Sequence, residues 1–177
     1  MAEFSITCSD FEEGGEIPKR FGYKHGNLAP SIHFKNIPEN TKSIGLIMDD
    51  PDAMAAVGKI WVHWLFYERT DDGTAEIRRL HPDMPESYLK MVSTLNSMKI
   101  FGKNDFGELR YGGPAPPDKR HTYIFKAYAL DVNLDISKHL VISKSHGLQE
   151  GFSKQELEDA MKGHIIAEAK LTGTFAP

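Results

Sequence analysis

Short apolar runs, separated by clusters of glycine, proline, asparagine and aspartate, recur along the 177-residue chain. Runs of this length bounded by turn residues are typical of β-strands. They predict strands over residues 4–8, 31–34, 43–49, 60–67, 122–130 and 167–175. No repeat, low-complexity tract or linker divides the chain. We therefore expect one mainly β domain over residues 1–177, long enough to bury about 70% of its unfolded surface.

The run over residues 60–67 is apolar on both of its faces. Strict alternation places one set of side chains together, namely Trp61, His63, Leu65 and Tyr67, and the other set opposite, namely Ile60, Val62, Trp64 and Phe66. Two apolar faces are typical of a central strand that is covered on both sides. His63 must then either find a hydrogen-bond partner or face a cavity.

One helix has a clear start. Ser153, followed three residues later by Glu156, forms the pattern of a capping box. Apolar and weakly polar positions then recur at helical spacing, at Leu157, Ala160, Met161, His164 and Ile165. This helix is expected to pack on a sheet. A weaker helical pattern covers residues 85–98, and alternation after Gly163 predicts the final strand.

Charge and composition exclude several classes of protein. The formal net charge is −4, the pI is about 6.1, and Lys and Arg are scattered singly, so nucleic-acid binding is not expected. Cys8 is the single cysteine, which excludes an internal disulfide, and the first residues lack a signal-peptide pattern. We expect a cytoplasmic protein. No apolar stretch reaches the ~20 residues of a membrane-spanning helix, so no integral membrane segment is expected.

Candidate chemistry lies in two places. A Gly/Pro-rich loop over residues 111–117 leads to His121 and Tyr123, which share one face of the 122–130 strand with Phe125 and Ala127. Upstream, an acidic cluster over residues 49–52 ends one strand, and His63 interrupts the next. Two histidines and an acidic cluster, each attached to a strand, predict a small polar binding site.

Four sequence blocks resemble the phosphatidylethanolamine-binding protein family, specifically its bacterial and archaeal branch of Raf kinase inhibitor-like proteins. The blocks occur in the family's order across about residues 20–175. They are Asn27-Leu28-Ala29-Pro30; Asp50-Pro51-Asp52-Ala53 with Trp61-x-His63-Trp64-Leu65; Asn104-Asp105-Phe106-Gly107 with Tyr111-Gly112-Gly113-Pro114-x-Pro116-Pro117 and His121-x-Tyr123; and Met161-x-Gly163-His164-Ile165-x-Ala167 with Leu171-Thr172-Gly173-Thr174-Phe175.

The resemblance implies a large central antiparallel sheet packed with a smaller sheet, together with a C-terminal helix. It also implies a non-enzymatic protein without a cofactor, whose anion pocket takes phosphate-bearing or carboxylate ligands such as phosphatidylethanolamine-like head groups. The implied ligand-binding residues are Asp50, Trp61, His63, Gly113, Ala115, Pro117, His121 and Tyr123. The chain departs from the family's usual pattern at Met54, Ala115 and Thr122, and its loop between Pro117 and His121 is shorter.

Such a site has the groups that an anion needs. We expect imidazole N–H groups of His63 and His121, and backbone N–H groups of Gly112 and Gly113, to donate to it. A neighbouring Asp50 favours charged histidines, so anion affinity should rise as the pH falls toward about 6. The same carboxylate disfavours a bare anion and favours a zwitterion that carries both a phosphate and an ammonium group.

Other interpretations stay open. The chain could be a protein-interaction regulator, such as a kinase or protease inhibitor, that docks a partner at the pocket rim, and an apolar face could pair two copies as a homodimer. A metal triad and a hydrolase rank last, because neither metal-ligand spacing nor a nucleophile elbow is present. His63 could be a core histidine, Asp52 a turn cap, and His164 a structural residue.

Overall fold

The computed structural model describes residues 2–70, 76–77, 100–135 and 151–177. The helix predicted over residues 85–98 lies outside these ranges. Within them the order of elements is β1 (Ser5–Cys8), a 3-10 helix (Lys19–Phe21), β2 (Ile32–Lys35), β3 (Ser43–Asp50), α1 (Ala53–Val57), β4 (Trp61–Arg69), β5 (Glu76–Ile77), β6 (Ile100–Phe101), β7 (His121–Leu130), α2 (Lys154–Met161) and β8 (Ile165–Phe175).

The strands form two antiparallel sheets. The larger sheet has the order β6-β4-β3-β7-β8, and the smaller one has the order β1-β2-β5. All six strands predicted from the sequence are present, with ends that differ by no more than two residues. The expected large sheet with a smaller sheet packed against it is confirmed.

The large sheet is buried on both faces. One face packs on the small sheet, where Phe4 and Phe34 join a cluster with Trp64 and Phe125. The opposite face is covered by α2 in a second cluster, which contains Ile47, Leu65, Tyr67, Phe152, Leu157 and Met161. β4 lies between β6 and β3 and is buried along nearly its whole length, as its two apolar faces predicted.

The start of α2 follows the prediction, but its end does not. The Ser153 hydroxyl accepts from the Glu156 backbone N–H at 3.3 Å, and the Glu156 carboxylate accepts from the Ser153 backbone N–H at 2.7 Å. The helix ends at Met161, because Gly163 adopts a left-handed conformation with φ 79°. His164 and Ile165 therefore leave the helical face on which the spacing placed them, and β8 begins at Ile165.

A β-bulge in β4 changes the face on which His63 lies. Met48 pairs with Trp64, whereas Asp49 pairs with Val62, so His63 is an extra residue without a partner in β3. An extra residue redirects side chains. Strict alternation placed His63 with Leu65 and Tyr67, and this is wrong. Its ring contacts Tyr123, which belongs to the core cluster between the two sheets, and Val62 joins Leu65 and Tyr67 under α2.

Candidate functional site

Three inner strands of the large sheet, β3, β4 and β7, have neighbouring ends on one side of the sheet. Asp50 is the last residue of β3, Trp61 is the first of β4, and His121 is the first of β7. Because β3 pairs antiparallel with both neighbours, these ends are adjacent. Four of the residues expected at a ligand site, Asp50, His63, His121 and Tyr123, are buried here. We call these four residues the strand-end site.

The His121 ring is held between two carboxylates. Its Nδ1 lies 2.7 Å from Asp50 Oδ2, and its Nε2 lies 2.9 Å from Asp118 Oδ1. The His121 side chain is completely enclosed, whereas the Asp118 side chain is 45% exposed. An ionised carboxylate only accepts hydrogen bonds, so this geometry requires a proton on both ring nitrogens. His121 is therefore a positively charged imidazolium in this arrangement.

The electrostatics of the pair agree with that charge. Burial lowers the pKa of His121, but the hydrogen bonds and charges of Asp50 and Asp118 outweigh it, and the pKa is raised. The hydrogen bond from His121 lowers the pKa of Asp118. Both N–H groups of His121 are thus engaged within the protein, so the expectation that they donate directly to a ligand does not fit this structure.

His63 has the opposite electrostatic character. Its Nδ1 lies 2.7 Å from the Gly112 carbonyl oxygen, which can only accept, so Nδ1 carries the proton. Burial lowers the pKa of His63 below its usual value, against smaller opposing effects from the Gly112 carbonyl and Asp50. At neutral pH the ring is therefore mainly uncharged, and Nε2 then presents a lone pair. The rings of Tyr123 and Phe106 lie edge-on to it, at centroid distances of 5.1 and 5.6 Å.

The glycine amides of the loop do not face a ligand. The Gly112 N–H donates to the His63 carbonyl at 2.9 Å, and the Gly113 N–H donates to Asn27 Oδ1 at 2.7 Å. The prediction that they donate to an anion is therefore wrong. Glycine is required at 113 for another reason, since a Cβ there would collide with the Phe21 carbonyl oxygen. The two glycines allow close packing of the loop.

Asn27 and Asn104, each in one of the four family-like sequence blocks, hold the loop beside the site through side-chain hydrogen bonds. Asn104 Oδ1 accepts from the backbone N–H groups of Phe106 and Glu108 at 3.1 and 2.9 Å, and its Nδ2 donates to the Arg110 carbonyl at 2.9 Å. Asn27 adopts a left-handed conformation with φ 53° and holds Gly113. Both side chains fix the loop that carries Gly112 and its carbonyl oxygen against His63.

Tyr123 contributes a buried hydroxyl without a partner. The side chain is completely buried, and its hydroxyl makes no hydrogen bond of acceptable geometry within the described part of the chain. Burial raises the pKa of this hydroxyl, and the negative charge of Asp50 adds to the rise. The Asp50 carboxylate and the Ala115 backbone lie near enough to interact with the hydroxyl, but outside the geometry of a hydrogen bond. Trp61 Nε1, on a ring that contacts Phe106, is also buried without a hydrogen-bond partner among the described residues. Buried donors without acceptors are costly, so they indicate a place for an acceptor.

The acidic residues after β3 are partly structural. Asp50 Oδ1 accepts from the Ala53 N–H at 3.1 Å, so both of its oxygens have partners. Asp52 Oδ2 accepts from the Thr122 N–H at 2.8 Å and thereby connects the end of β3 with the start of β7. Asp52 therefore acts as a backbone cap, which is the simpler of the two interpretations of this residue.

The remaining expected residues lie at the edge of the site. Ala115 is half-buried and Pro117 is exposed. The half-buried Trp61 contacts Phe106 edge-on at 5.4 Å between centroids, and Phe106 stacks on Tyr23 at 4.0 Å. Sequence reasoning missed both Phe106 and Asp118 as site residues. The signal for Asp118 was its position three residues before His121 in an unusually short loop.

The described residues contain neither a metal-binding cluster nor a membrane-spanning helix. No group of three or more His, Cys, Asp or Glu side chains in these ranges is arranged to hold a metal ion. None of the helices described here is long and apolar enough to cross a membrane.

Comparison with known proteins agrees with the fold. The family model described as phosphatidylethanolamine-binding protein matches residues 7–176. A UPF0098 protein of Methanothermobacter thermautotrophicus is 35% identical, with 97% of each chain covered. The crystal structure of Chlamydia trachomatis CT736, described as a homologue of phosphatidylethanolamine-binding protein, matches with a TM-score of 0.74 and 31% identity over 98% of this chain and 97% of that one.

A second solved structure gives the same result. Escherichia coli YbcL, described as a new member of the mammalian PEBP family, matches with a TM-score of 0.69 and 26% identity, and 98% of each chain is covered. Two antiparallel sheets with few helices are the fold shared with these solved structures. The chain belongs to the phosphatidylethanolamine-binding protein family.

Proposed function

We propose that the strand-end site binds a small ligand that carries a phosphate or carboxylate group, such as a phosphatidylethanolamine-like head group. The observation that carries the proposal is the completely buried Tyr123 hydroxyl, which makes no hydrogen bond of acceptable geometry to the described residues, on a ring that contacts the His63 ring edge-on. A ligand oxygen would accept the Tyr123 O–H.

The neutral His63 sets a condition on the ligand. Its Nε2 accepts a hydrogen bond, so it pairs with a protonated ligand oxygen or takes up a proton when a fully ionised anion binds. Either way the complex contains one proton between the imidazole and the ligand. Because burial lowers the pKa of His63, the free imidazole lacks this proton at neutral pH, and a lower pH supplies it. We therefore expect anion affinity to rise as the pH falls toward about 6.

The carboxylates of the site favour a zwitterion over a bare anion. Asp50 and Asp118 both contact the single imidazolium of His121, so the formal charges of these three side chains leave the cluster negative. An ammonium group on the ligand would lie favourably beside Asp118, which is the most exposed of the carboxylates that contact His121. Phosphoethanolamine should therefore bind more tightly than inorganic phosphate or acetate.

We propose no reaction for this site. Its buried polar groups are positioned by hydrogen bonds, and the single cysteine, Cys8, lies away from it in β1 of the small sheet. Cys8 is half-buried and neighbours Asp10, whose backbone N–H lies 3.3 Å from its sulfur. The function is binding in a cytoplasmic protein.

One observation favours protein docking as a second function. Met54, Val57 and Ile60 are 51%, 50% and 41% exposed in the connection that follows Asp52. Apolar side chains exposed beside a ligand site are typical of an interaction surface, for a partner protein or for a second copy in a homodimer. If docking is the function, a triple serine variant at these positions should abolish the interaction while phosphoethanolamine binding is unchanged.

The test of ligand binding is calorimetric titration of phosphoethanolamine, phosphate and acetate at pH 6. Tyr123→Phe removes only the unpartnered hydroxyl and should weaken phosphate binding about ten- to a hundredfold, the usual effect of a hydrogen bond to a charged group. Tyr128→Phe is the matched control, because Tyr128 lies in the same strand but packs on the opposite face. Wild-type protein that binds none of the three ligands would refute the proposal.

A further inference from the structure

Asp118 occupies the one direction in which His121 could donate to a ligand. The other ring nitrogen of His121 faces Asp50, which is buried and fixed by its second hydrogen bond to Ala53. Asp118 Oδ1 lies 2.9 Å from His121 Nε2, while the ring itself has no exposed surface. The carboxylate of Asp118 therefore lies between the imidazolium and solvent.

Asp50 and Asp118 differ in how easily a competing anion can displace them from His121. Asp50 is 4% exposed and belongs to β3 at the centre of the large sheet. Asp118 is 45% exposed and belongs to an exposed bend over residues 117–120. An ion pair with one partner this exposed contributes little net free energy, so a competing anion can displace Asp118 at low cost. It cannot displace Asp50 without leaving His121 unpaired inside the sheet.

We propose that Asp118 is a specificity-determining residue that acts as an internal competitor for anions, occupying the His121 Nε2–H until a ligand oxyanion displaces it. The inference rests on the proposed function and adds a step to it. The ligand oxygen takes the place of the carboxylate oxygen on His121, and the ligand then spans His121 and Tyr123. The energy of the pair between Asp118 and His121 is subtracted from the affinity for every anion.

The released carboxylate discriminates between ligands that share the phosphate group. Inorganic phosphate gains nothing from the displaced Asp118 and is repelled by its charge. A phosphate ester that carries an ammonium group can pair with the same carboxylate once it has moved. Asp118 should therefore weaken phosphate binding more than phosphoethanolamine binding. This weakens the binding of free phosphate relative to that of the zwitterion.

The experiment compares Asp118→Ala and Asp118→Asn with wild type by calorimetric titration of inorganic phosphate and of phosphoethanolamine at pH 6. Loss of the competing carboxylate should tighten phosphate binding about two- to fivefold in the alanine variant. The asparagine variant should give a smaller gain, because its amide oxygen still accepts from His121. Phosphoethanolamine should gain less than phosphate in both variants.

Asp131→Ala is the matched control. The Asp131 side chain is 49% exposed and also pairs with a histidine, since its Oδ1 lies 3.0 Å from His164 Nδ1. It removes the same charge at similar exposure from a residue outside the strand-end site, and phosphate affinity should stay at the wild-type value. A general loss of order at residue 118 would weaken binding, and loss of charge repulsion alone would give equal gains in Asp118→Ala and Asp118→Asn. Competition for His121 predicts the larger gain in Asp118→Ala.

The possible failures can be distinguished. If wild type binds phosphoethanolamine but Asp118→Ala binds phosphate no more tightly than Asp131→Ala, the proposed function stands and the competitor role is refuted. If neither wild type nor the Asp118 variants bind either ligand, the proposed function fails and the role of Asp118 fails with it.

Discussion

Removing Asp50 from its buried ion pair with His121 is expected to be among the most destabilising changes at the site. Asp50→Asn keeps the size of the side chain and its amide oxygen can still accept from Ala53, but it removes the charge that faces His121 Nδ1. Removing one partner of a buried pair typically costs 3–5 kcal/mol. Because Asp118 still accepts from the other ring nitrogen, we expect the lower end, about 3 kcal/mol.

The assay is urea denaturation at pH 6, supported by thermal melting. For a chain of this size, 3 kcal/mol corresponds to a fall in melting temperature of about 6–12 °C. Asp131→Asn is the control, since it removes a half-exposed carboxylate that also pairs with a histidine, and it should cost no more than about 1 kcal/mol. If Asp50→Asn costs no more than that control, His121 is not held as a buried imidazolium.

The pH dependence gives a second check on the same pair. The pKa of His121 is raised in the folded state, so its stabilisation is fully present below the unfolded value of about 6.5 and is lost as the pH rises through the raised value. The cost of Asp50→Asn should therefore shrink above about pH 6.5. A cost that is constant from pH 6 to 9 would contradict a charged His121.

Two further predictions concern His63 and Gly113. Because burial lowers the pKa of His63, binding of a fully ionised anion at pH 7.5 should take up close to one proton. Calorimetry in two buffers of different ionisation enthalpy measures this uptake. Identical binding enthalpies in the two buffers would exclude it. Gly113→Ala brings a Cβ against the Phe21 carbonyl oxygen and should lower the free energy of unfolding by about 2 kcal/mol or more. Urea denaturation measures this loss. A loss below about 0.5 kcal/mol would show that the loop shifts freely.

The elements of the fold follow from local sequence patterns, but their register does not. The capping box at Ser153 and the alternation in β7 each involve near neighbours in the chain, and both appear as predicted. The bulge at His63 depends on how β4 pairs with β3, which no pattern within residues 60–67 encodes. This one extra residue moved His63 to the face that contacts Tyr123.

The site shows the same division between local and tertiary information. The residue types at Asp50, His63, His121 and Tyr123 indicated a polar site, and the resemblance indicated which of them lie together. Their protonation could not be inferred, because it depends on distances to Asp118 and to the Gly112 carbonyl across the fold. The sequence predicted that the Gly113 backbone N–H donates to a ligand. The structure shows instead that position 113 must be glycine because the Phe21 carbonyl oxygen approaches it closely.

The most direct test of ligand binding at the strand-end site is an NMR titration of inorganic phosphate into uniformly labelled protein at pH 6. We expect saturable shifts of the His63 and His121 ring signals and of the Ala115 amide, while amides of α2, on the opposite face of the large sheet, stay unchanged. Unchanged ring signals at a phosphate concentration that saturates the calorimetric titration would contradict it.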